Sequence, residues 1–262
     1  MRPVSSGSVS FDRAASYYDR TRPISAEALP RLMEVLGREL EGRGRALEVG
    51  VGTGIVSLPL VERGIPMLGF DLSRPMLERL REKAGGNAPL PLVQADATAM
   101  PFRDDAFGGT VVRHVLHLIP AWERALEELL RVLRPGSVAL VHHGDYPEPW
   151  RSLFDRFVEE AGVERPWTGL APVELDLLHA WMESRGAGVR RLEPIREQVE
   201  EPLEGFVDGM RDGLFSWTWG VEEEARRKAA DRVRSWAKEE LGPLDRAMTR
   251  ETEIAFWAYD LP

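Results

Sequence analysis

A chain of 262 residues is long enough for one large domain or for a domain with an added lid. Its formal net charge of -9, with Arg and Lys interspersed among Glu and Asp, argues against a nucleic-acid partner, because phosphate binding needs clustered basic residues. The absence of cysteine excludes a structural disulfide, a thiolate metal site and a cysteine nucleophile. With no long apolar run and no basic-then-apolar leader, a cytoplasmic protein with no membrane partner is expected.

In chain order, an aromatic and charged run from Phe11 to Pro23 comes first, followed by a helix from Ser25 to about Glu41 that Gly42 and Gly44 end. The apolar run Leu47-Glu48-Val49 then reads as a buried strand ending beside an acid. Gly50, Gly52 and Gly54 follow at alternating positions and allow a tight turn that a ligand can approach closely. Ile55 to Val61 can open a helix facing the same ligand. A second apolar run, Pro66 to Phe70, ends in Asp71, placed to accept both hydroxyls of a ribose. Ser73 is the better cap for the next helix, with Pro75 in its first turn, which leaves Asp71 to the ligand.

Further strands are expected near 90–96, 109–115 and 137–143, with helices near 54–63, 74–84 and 121–133. Strand and helix alternate, so the sheet is expected to be parallel, with ligands beyond the carboxyl ends of its strands. Past Pro149 the pattern changes. Helices are expected over 150–165, 172–185, 202–214 and 221–241, a sixth strand near 189–199, and a last strand over Glu253 to Tyr259.

The run Glu48-x-Gly50-x-Gly52-x-Gly54 resembles the first motif of class I S-adenosylmethionine-dependent methyltransferases. It departs from the dinucleotide pattern G-x-G-x-x-G, because Ile55 stands where the third glycine would fall. Asp71-x-Ser73-x-x-Met76, the exit Asp96-Ala97, and Arg131-x-Leu133-Arg134-Pro135-Gly136-Ser137 are similar to later motifs of that family, Ser137 replacing a second glycine. The resemblance covers roughly residues 11 to 145.

It implies a doubly wound, Rossmann-like α/β sheet of seven strands, mostly parallel with the last antiparallel, and helical lid additions. It implies S-adenosylmethionine as cofactor and S-adenosylhomocysteine as product. By match, Asp71 holds the ribose, Leu72 and Met76 lie beside the adenine, and Asp96 and Ala97 meet its polar edge. Arg113 stands near the methionine portion. Phe102 is either a flat neighbour of the ligand or a core residue. The leader resembles F-D-x-x-A-x-x-Y-D-x-x-R-P, which folds over the cofactor; Tyr18 would cover it and Arg22 would pair with its carboxylate, or the leader is a helix packed on the domain edge.

The implied organisation is a single domain over 1–262. Cofactor-covering helices occupy 1–40, the cofactor-binding core 41–147, a helical lid and acceptor region 148–250, and the last strand 251–262. Trp150, Phe154, Phe157, Trp167, Phe206, Phe215, Trp217 and Trp219 gather in the lid region, either to close over an apolar acceptor or to pack its helices. The implied activity is methyl transfer to a small-molecule acceptor. The competing readings are an NAD(P)-dependent oxidoreductase and a non-catalytic S-adenosylmethionine-binding regulatory protein.

The catalytic residue stays unassigned among His114, His117, His142, His143, Asp145 and Tyr146. Adjacent residues on a strand point to opposite faces, so His142 and His143 are not expected to share a metal, and no metal site is expected. Oligomeric state is left open.

Overall fold

A computed structural model describes residues 7–144 and 146–262. The chain divides into two compact units, one made of residues 7–144, 168–195 and 254–262, the other of 146–167 and 196–253. The first opens with α1 (Tyr18–Thr21), α2 (Ala28–Leu40), β1 (Ala46–Val49), α3 (Ser57–Glu62), β2 (Met67–Asp71) and α4 (Arg74–Lys83). It continues through β3 (Leu92–Gln94), β4 (Phe107–Arg113), α5 (Trp122–Val132) and β5 (Leu133–His142). The chain then runs through α6 (Trp150–Glu160) of the second unit and back through α7 (Leu175–Glu183) and β6 (Gly188–Arg191). Next come β7 (Ile195–Pro202), α8 (Leu203–Asp212), α9 (Glu223–Glu240) and β8 (Ala247–Ile254), and finally β9 (Trp257–Asp260).

The first unit is built on a seven-stranded sheet of order β3-β2-β1-β4-β5-β9-β6. β1 to β5 pair in parallel, whereas β9 lies antiparallel to both β5 and β6. Strand order reverses between β1 and β4, so a crevice opens beyond their carboxyl ends. Alternation along the central strands feeds two apolar layers. Val111 and Leu140 face a cluster with Leu32, Leu36, Leu60 and Leu80, and Val112 and Val141 face one with Leu126, Leu129 and Leu178. The Thr110 hydroxyl, fully buried in β4, donates to the Leu47 carbonyl of β1 at 2.8 Å, so burying it leaves no polar group unpaired.

Local chemistry sets the helix ends. The Ser73 hydroxyl caps α4 by accepting from the Met76 amide at 3.3 Å, with Pro75 in the first turn and Arg81 and Lys83 in the last. Met76, Leu77 and Leu80 form its buried face.

Two strand expectations need correction. The run 189–199 is not one strand: β6 ends at Arg191 and β7 begins at Ile195, with Pro194, which has no N–H to donate, in the break. β6 completes the large sheet and β7 pairs with β8 in a separate two-stranded sheet. The run Glu253 to Tyr259 likewise divides after Ile254, its first residues closing β8 and its last forming β9. β8 escaped sequence reading because Thr249-Arg250-Glu251-Thr252-Glu253 is polar on both faces, its side chains pairing across the ribbon, as in Gln198 to Glu251 at 2.7 Å.

The second unit has its own core of Trp150, Leu153, Phe154, Phe157, Val207, Met210, Trp217 and Val233. Trp217 stacks on Phe215 (5.2 Å between ring centres, 7° between planes) and meets Phe154 and Phe157 edge-on at 4.9 and 5.3 Å. Its indole N–H donates to the Tyr146 hydroxyl at 3.2 Å. Phe215 to Gly220, which alternates like a strand in sequence, forms a short 3-10 turn over Ser216–Thr218.

Candidate active site

The glycine turn after β1 is left-handed at Gly50, Gly52 and Gly54, with φ of 66°, 53° and 77°. A Cβ at Gly50 would stand 2.6 Å from Val115 Cγ2, so the site requires glycine for space as well as for backbone conformation. At Gly54 a Cβ would press on Leu58 and Leu80 at 2.9 Å, which makes this glycine a packing contact between turn and helices.

Asp71, at the carboxyl end of β2, ties the neighbouring loops together. Its Oδ2 accepts from the Gly52 amide and its Oδ1 from the Ser73 amide, both at 2.8 Å. Each oxygen keeps a lone pair for further donors. Burial raises this carboxyl to about 6, and the bonds from Ser73 and Gly52 oppose that rise.

These elements line a cavity at the switch between β1 and β4. It gathers Tyr18, Gly50, Gly52, Asp71, Leu72, Met76, Asp96, Ala97 and Arg113, all singled out from sequence. Glu48 lines a second, smaller hollow, which shares Tyr18, Gly50, Gly52 and Arg113 with the first. Gly54 and Arg22 line neither. The Arg22 guanidinium donates to the Thr21 carbonyl at 2.7 Å, and its charge reaches Tyr18, His114 and His117. Phe102 lies between Phe70 and Phe107, at 5.8 and 5.3 Å, which identifies it as a core residue.

The structure adds lining residues that sequence reasoning did not single out. Ser8, Val9 and Phe11 come from the leader, and Val115, Leu118 and Ile119 from the segment after β4. The strand-end rule could have suggested the latter group. The leader is fastened at several points. The Val9 amide donates to the Leu118 carbonyl at 3.0 Å, the Thr53 hydroxyl donates to Asp19, and Lys83 pairs with Asp19 at 2.9 Å. The ring of Phe11 meets Tyr18 edge-on at 5.9 Å. Burial raises the Tyr18 phenol, so its hydroxyl stays protonated.

His114 lines the cavity with its backbone in the left-handed region at φ 56°, a conformation costly for a residue with a Cβ. Its ring meets His142 edge-on at 4.9 Å. The His142 Nδ1 lies 2.7 Å from the Ala255 carbonyl, which can only accept, so that nitrogen carries the hydrogen. Burial, then Arg113, holds His114 well below its ordinary value; burial lowers His117 and His142 to about 3 and His143 to about 4. These imidazoles are therefore uncharged at neutral pH. Among the described residues no group of three His, Asp or Glu side chains is arranged to hold a metal ion. Asp145 lies outside the described residues, and Tyr146 belongs to the aromatic cluster of the second unit.

Comparison with known proteins agrees with this geometry. Residues 47–141 match a family described as a methyltransferase domain. The chain is 35% identical to a demethylmenaquinone methyltransferase of Clavibacter sepedonicus over 134 residues, 50% of this chain and 54% of the relative. It is 29% identical to a malonyl-[acyl-carrier protein] O-methyltransferase of Halorhodospira halophila over 222 residues, 83% of this chain and 67% of the relative. The chain thus spans between about half and two thirds of the length of these curated relatives. Its fold is similar to that of a methyltransferase candidate from Bacillus halodurans, with a TM-score of 0.61 at 20% identity, covering 90% of this chain and 100% of that one. Among the described residues no helix is long and apolar enough to cross a membrane.

Proposed function

We propose that this chain, which belongs through its domain at residues 47–141 to the class I S-adenosylmethionine-dependent methyltransferases, moves a methyl group from S-adenosylmethionine to a small-molecule acceptor. The observation that carries the reading is Asp71. It is held by the Gly52 and Ser73 amides on the wall of the cavity that the glycine turn also lines. The residues present fit that cofactor. Asp71 has lone pairs left for the two ribose hydroxyls, and Leu72 and Met76 give apolar surfaces for the adenine. Asp96 and Ala97 stand at the same wall for its polar edge, and Gly50 and Gly52 bring the left-handed turn of the backbone to it.

When bound, the cofactor supplies a methyl group already activated by the positive charge on sulfur. The protein's own task is to position that group and to keep water out, a contribution worth up to about 7–11 kcal/mol in favourable intramolecular analogues. Tyr18 and Phe11 form the leader's share of the wall, and the Asp19 contacts with Thr53 and Lys83 hold the leader there. The four uncharged histidines at the ends of β4 and β5 present no imidazolium to repel a sulfonium. Arg22 and Arg113 are the proposed partners of the cofactor carboxylate.

We assign acceptor selection to the inserted second unit, because the seven-stranded sheet is complete without it. The relatives named above are a demethylmenaquinone methyltransferase and a malonyl-[acyl-carrier protein] O-methyltransferase, so the acceptor class is proposed here only as a small molecule or carried acyl group. We also propose a cytoplasmic setting, where the methyl donor is made.

Titration calorimetry with S-adenosylmethionine, NADH and NADPH in parallel tests the assignment. Binding of S-adenosylmethionine alone, strongly weakened in Asp71→Ala, is the expected result. Preference for a nicotinamide nucleotide would move the chain to the oxidoreductases.

A further inference from the structure

Three consecutive residues at the end of β4, Arg113, His114 and Val115, line one wall of the cavity. An extended strand would send alternate side chains to opposite faces. The left-handed backbone at His114, with φ 56°, breaks that alternation, so the three can share a wall. Such a backbone is uncommon at a residue with a Cβ, and strain of this kind gathers where function demands one placement. The ring is also fixed from behind. It meets His142 edge-on at 4.9 Å, and the His142 ring is held by its bond to the Ala255 carbonyl at 2.7 Å and by stacking on Phe256 at 5.2 Å. Gly144 leaves room for both imidazoles, because a Cβ there would stand 2.9 Å from His114 Cε1 and 3.1 Å from His142 Nε2.

We propose that His114 is the catalytic base of the methyl transfer, and that the acceptor is a hydroxyl compound that enters with its proton, a phenol or an enol. The inference rests on the methyl-donor reading above and deepens it. The acceptor oxygen bonds the methyl carbon, the C–S bond breaks with its electrons going to sulfur, and the O–H proton passes to an imidazole nitrogen of His114 and later to solvent. One positive charge leaves the sulfur and one appears on the ring, so the cavity's net charge does not change. The acceptor class follows from the base. A carboxylic acid enters already ionised, and an amine holds its proton more tightly than an imidazolium does. A hydroxyl that is bonding a methyl group becomes a strong acid, so even a weakly basic imidazole can take its proton. Arg113 of β4, Arg22 after α1, His142 of β5 and His117 face His114, and with burial they keep its ring uncharged, the form that accepts a proton. Other groups on the wall are less suited. The Tyr18 phenol stays protonated, and the carboxylates of Asp71 and Asp96 already accept from Gly52 and Ser73 and from Thr98.

The experiment compares three methyl transfers in the unaltered protein and in His114→Asn, whose side chain tolerates the left-handed backbone but is no base. Phenol and 1-naphthol enter protonated. 4-Nitrophenol is offered under mildly alkaline conditions that already ionise it. Methyl iodide with S-adenosylhomocysteine runs the transfer onto sulfur, releasing iodide and no proton. The unaltered protein should methylate phenol at a rate that is flat through neutral pH. His114→Asn should lose about 100- to 10,000-fold there and regain about tenfold per pH unit as the phenol ionises unaided. Its losses in the other two transfers should be far smaller. A readout apart from turnover is carbethoxylation by diethylpyrocarbonate, located by mass spectrometry: His114 should react in the free protein and be shielded by S-adenosylhomocysteine. Equal losses in all three transfers, an unshielded His114, or no phenol methylation by a protein that does form S-adenosylmethionine from methyl iodide would each overturn the base and leave the methyl-donor reading intact. If neither S-adenosylmethionine nor S-adenosylhomocysteine binds, both readings fall. Should His114→Asn fail to fold, the phenol profile and the shielding in the unaltered protein decide.

Discussion

The amide of Gly52 donates to Asp71 Oδ2 at 2.8 Å, so the glycine turn after β1 is clamped by the carboxylate that faces the cavity from β2. One side chain thereby shapes the backbone wall and offers the ligand its acceptor atoms. Asp71→Ala removes both functions. The cost should be at least that of one or two charge-assisted hydrogen bonds, about 2–4 kcal/mol, or a 30- to 1000-fold weaker affinity for S-adenosylmethionine. Asp71→Asn keeps one acceptor oxygen and should fall between, by the same calorimetry.

Gly50→Ala adds the close approach to Val115 to the left-handed backbone penalty. Its φ of 66° alone costs about 1–2 kcal/mol, and the new Cβ at 2.6 Å from Val115 must push the cavity wall. Gly64→Ala, with φ 87° and nothing within 4 Å, carries the strain without the crowding. Gly50→Ala should therefore lower Tm more than Gly64→Ala, and it alone should lose ligand affinity.

Asp19 joins the leader to two other elements, through Thr53 and through Lys83. Asp19→Ala should leave the core stable yet release the leader. The expected signature is faster S-adenosylhomocysteine dissociation and proteolytic cleavage near residues 12–22 that added ligand suppresses less well than in the unaltered protein.

Glu128 and Arg131 of α5 tie that helix to the segment 100–104. Arg131 donates to Glu128, to Asp104 and to the Phe102 and Met100 carbonyls, while the Met100 amide donates to Glu128 at 2.9 Å. The hydrogen bond from Arg131 is the main reason the Glu128 carboxyl is held below its ordinary value. A depressed carboxyl stabilises the fold at pH above its unfolded-state value and loses that contribution as pH falls through its folded-state value. Glu128→Gln should therefore lower Tm at neutral pH, by a free energy of about 2 kcal/mol, and narrow its gap to the unaltered protein as acid is added. A gap that widens in acid would contradict the assignment.

Trp217 is 3% exposed and packed on all sides by Phe154, Phe157 and Phe215. Trp217→Ala should cost about 3–5 kcal/mol within the second unit. If that unit unfolds independently, calorimetry should show a separate low-temperature transition, with S-adenosylmethionine affinity retained by the first unit. Loss of ligand affinity equal to the loss of stability would contradict this division.

The sequence by itself determined the ligand-facing ends of the sheet. Apolar runs fix where strands lie, and the residues ending them, Gly50, Gly52, Asp71, Asp96 and Arg113, then fall on one edge by topology alone. Ser73 was legible as a cap for the same reason, since capping depends on neighbours three residues away. Tertiary structure decided what local pattern does not encode. The break at Pro194 sends β6 and β7 to different sheets, and polar β8 is a strand because its partners across the ribbon satisfy it. The aromatics of the inserted segments pack a core of their own, and Asp19 reaches Thr53 across 34 residues of chain. The charge states of Glu48 and of His114, His117, His142 and His143 follow from burial, a property of the whole assembled fold, because removing water from an ionisable group is what moves its proton.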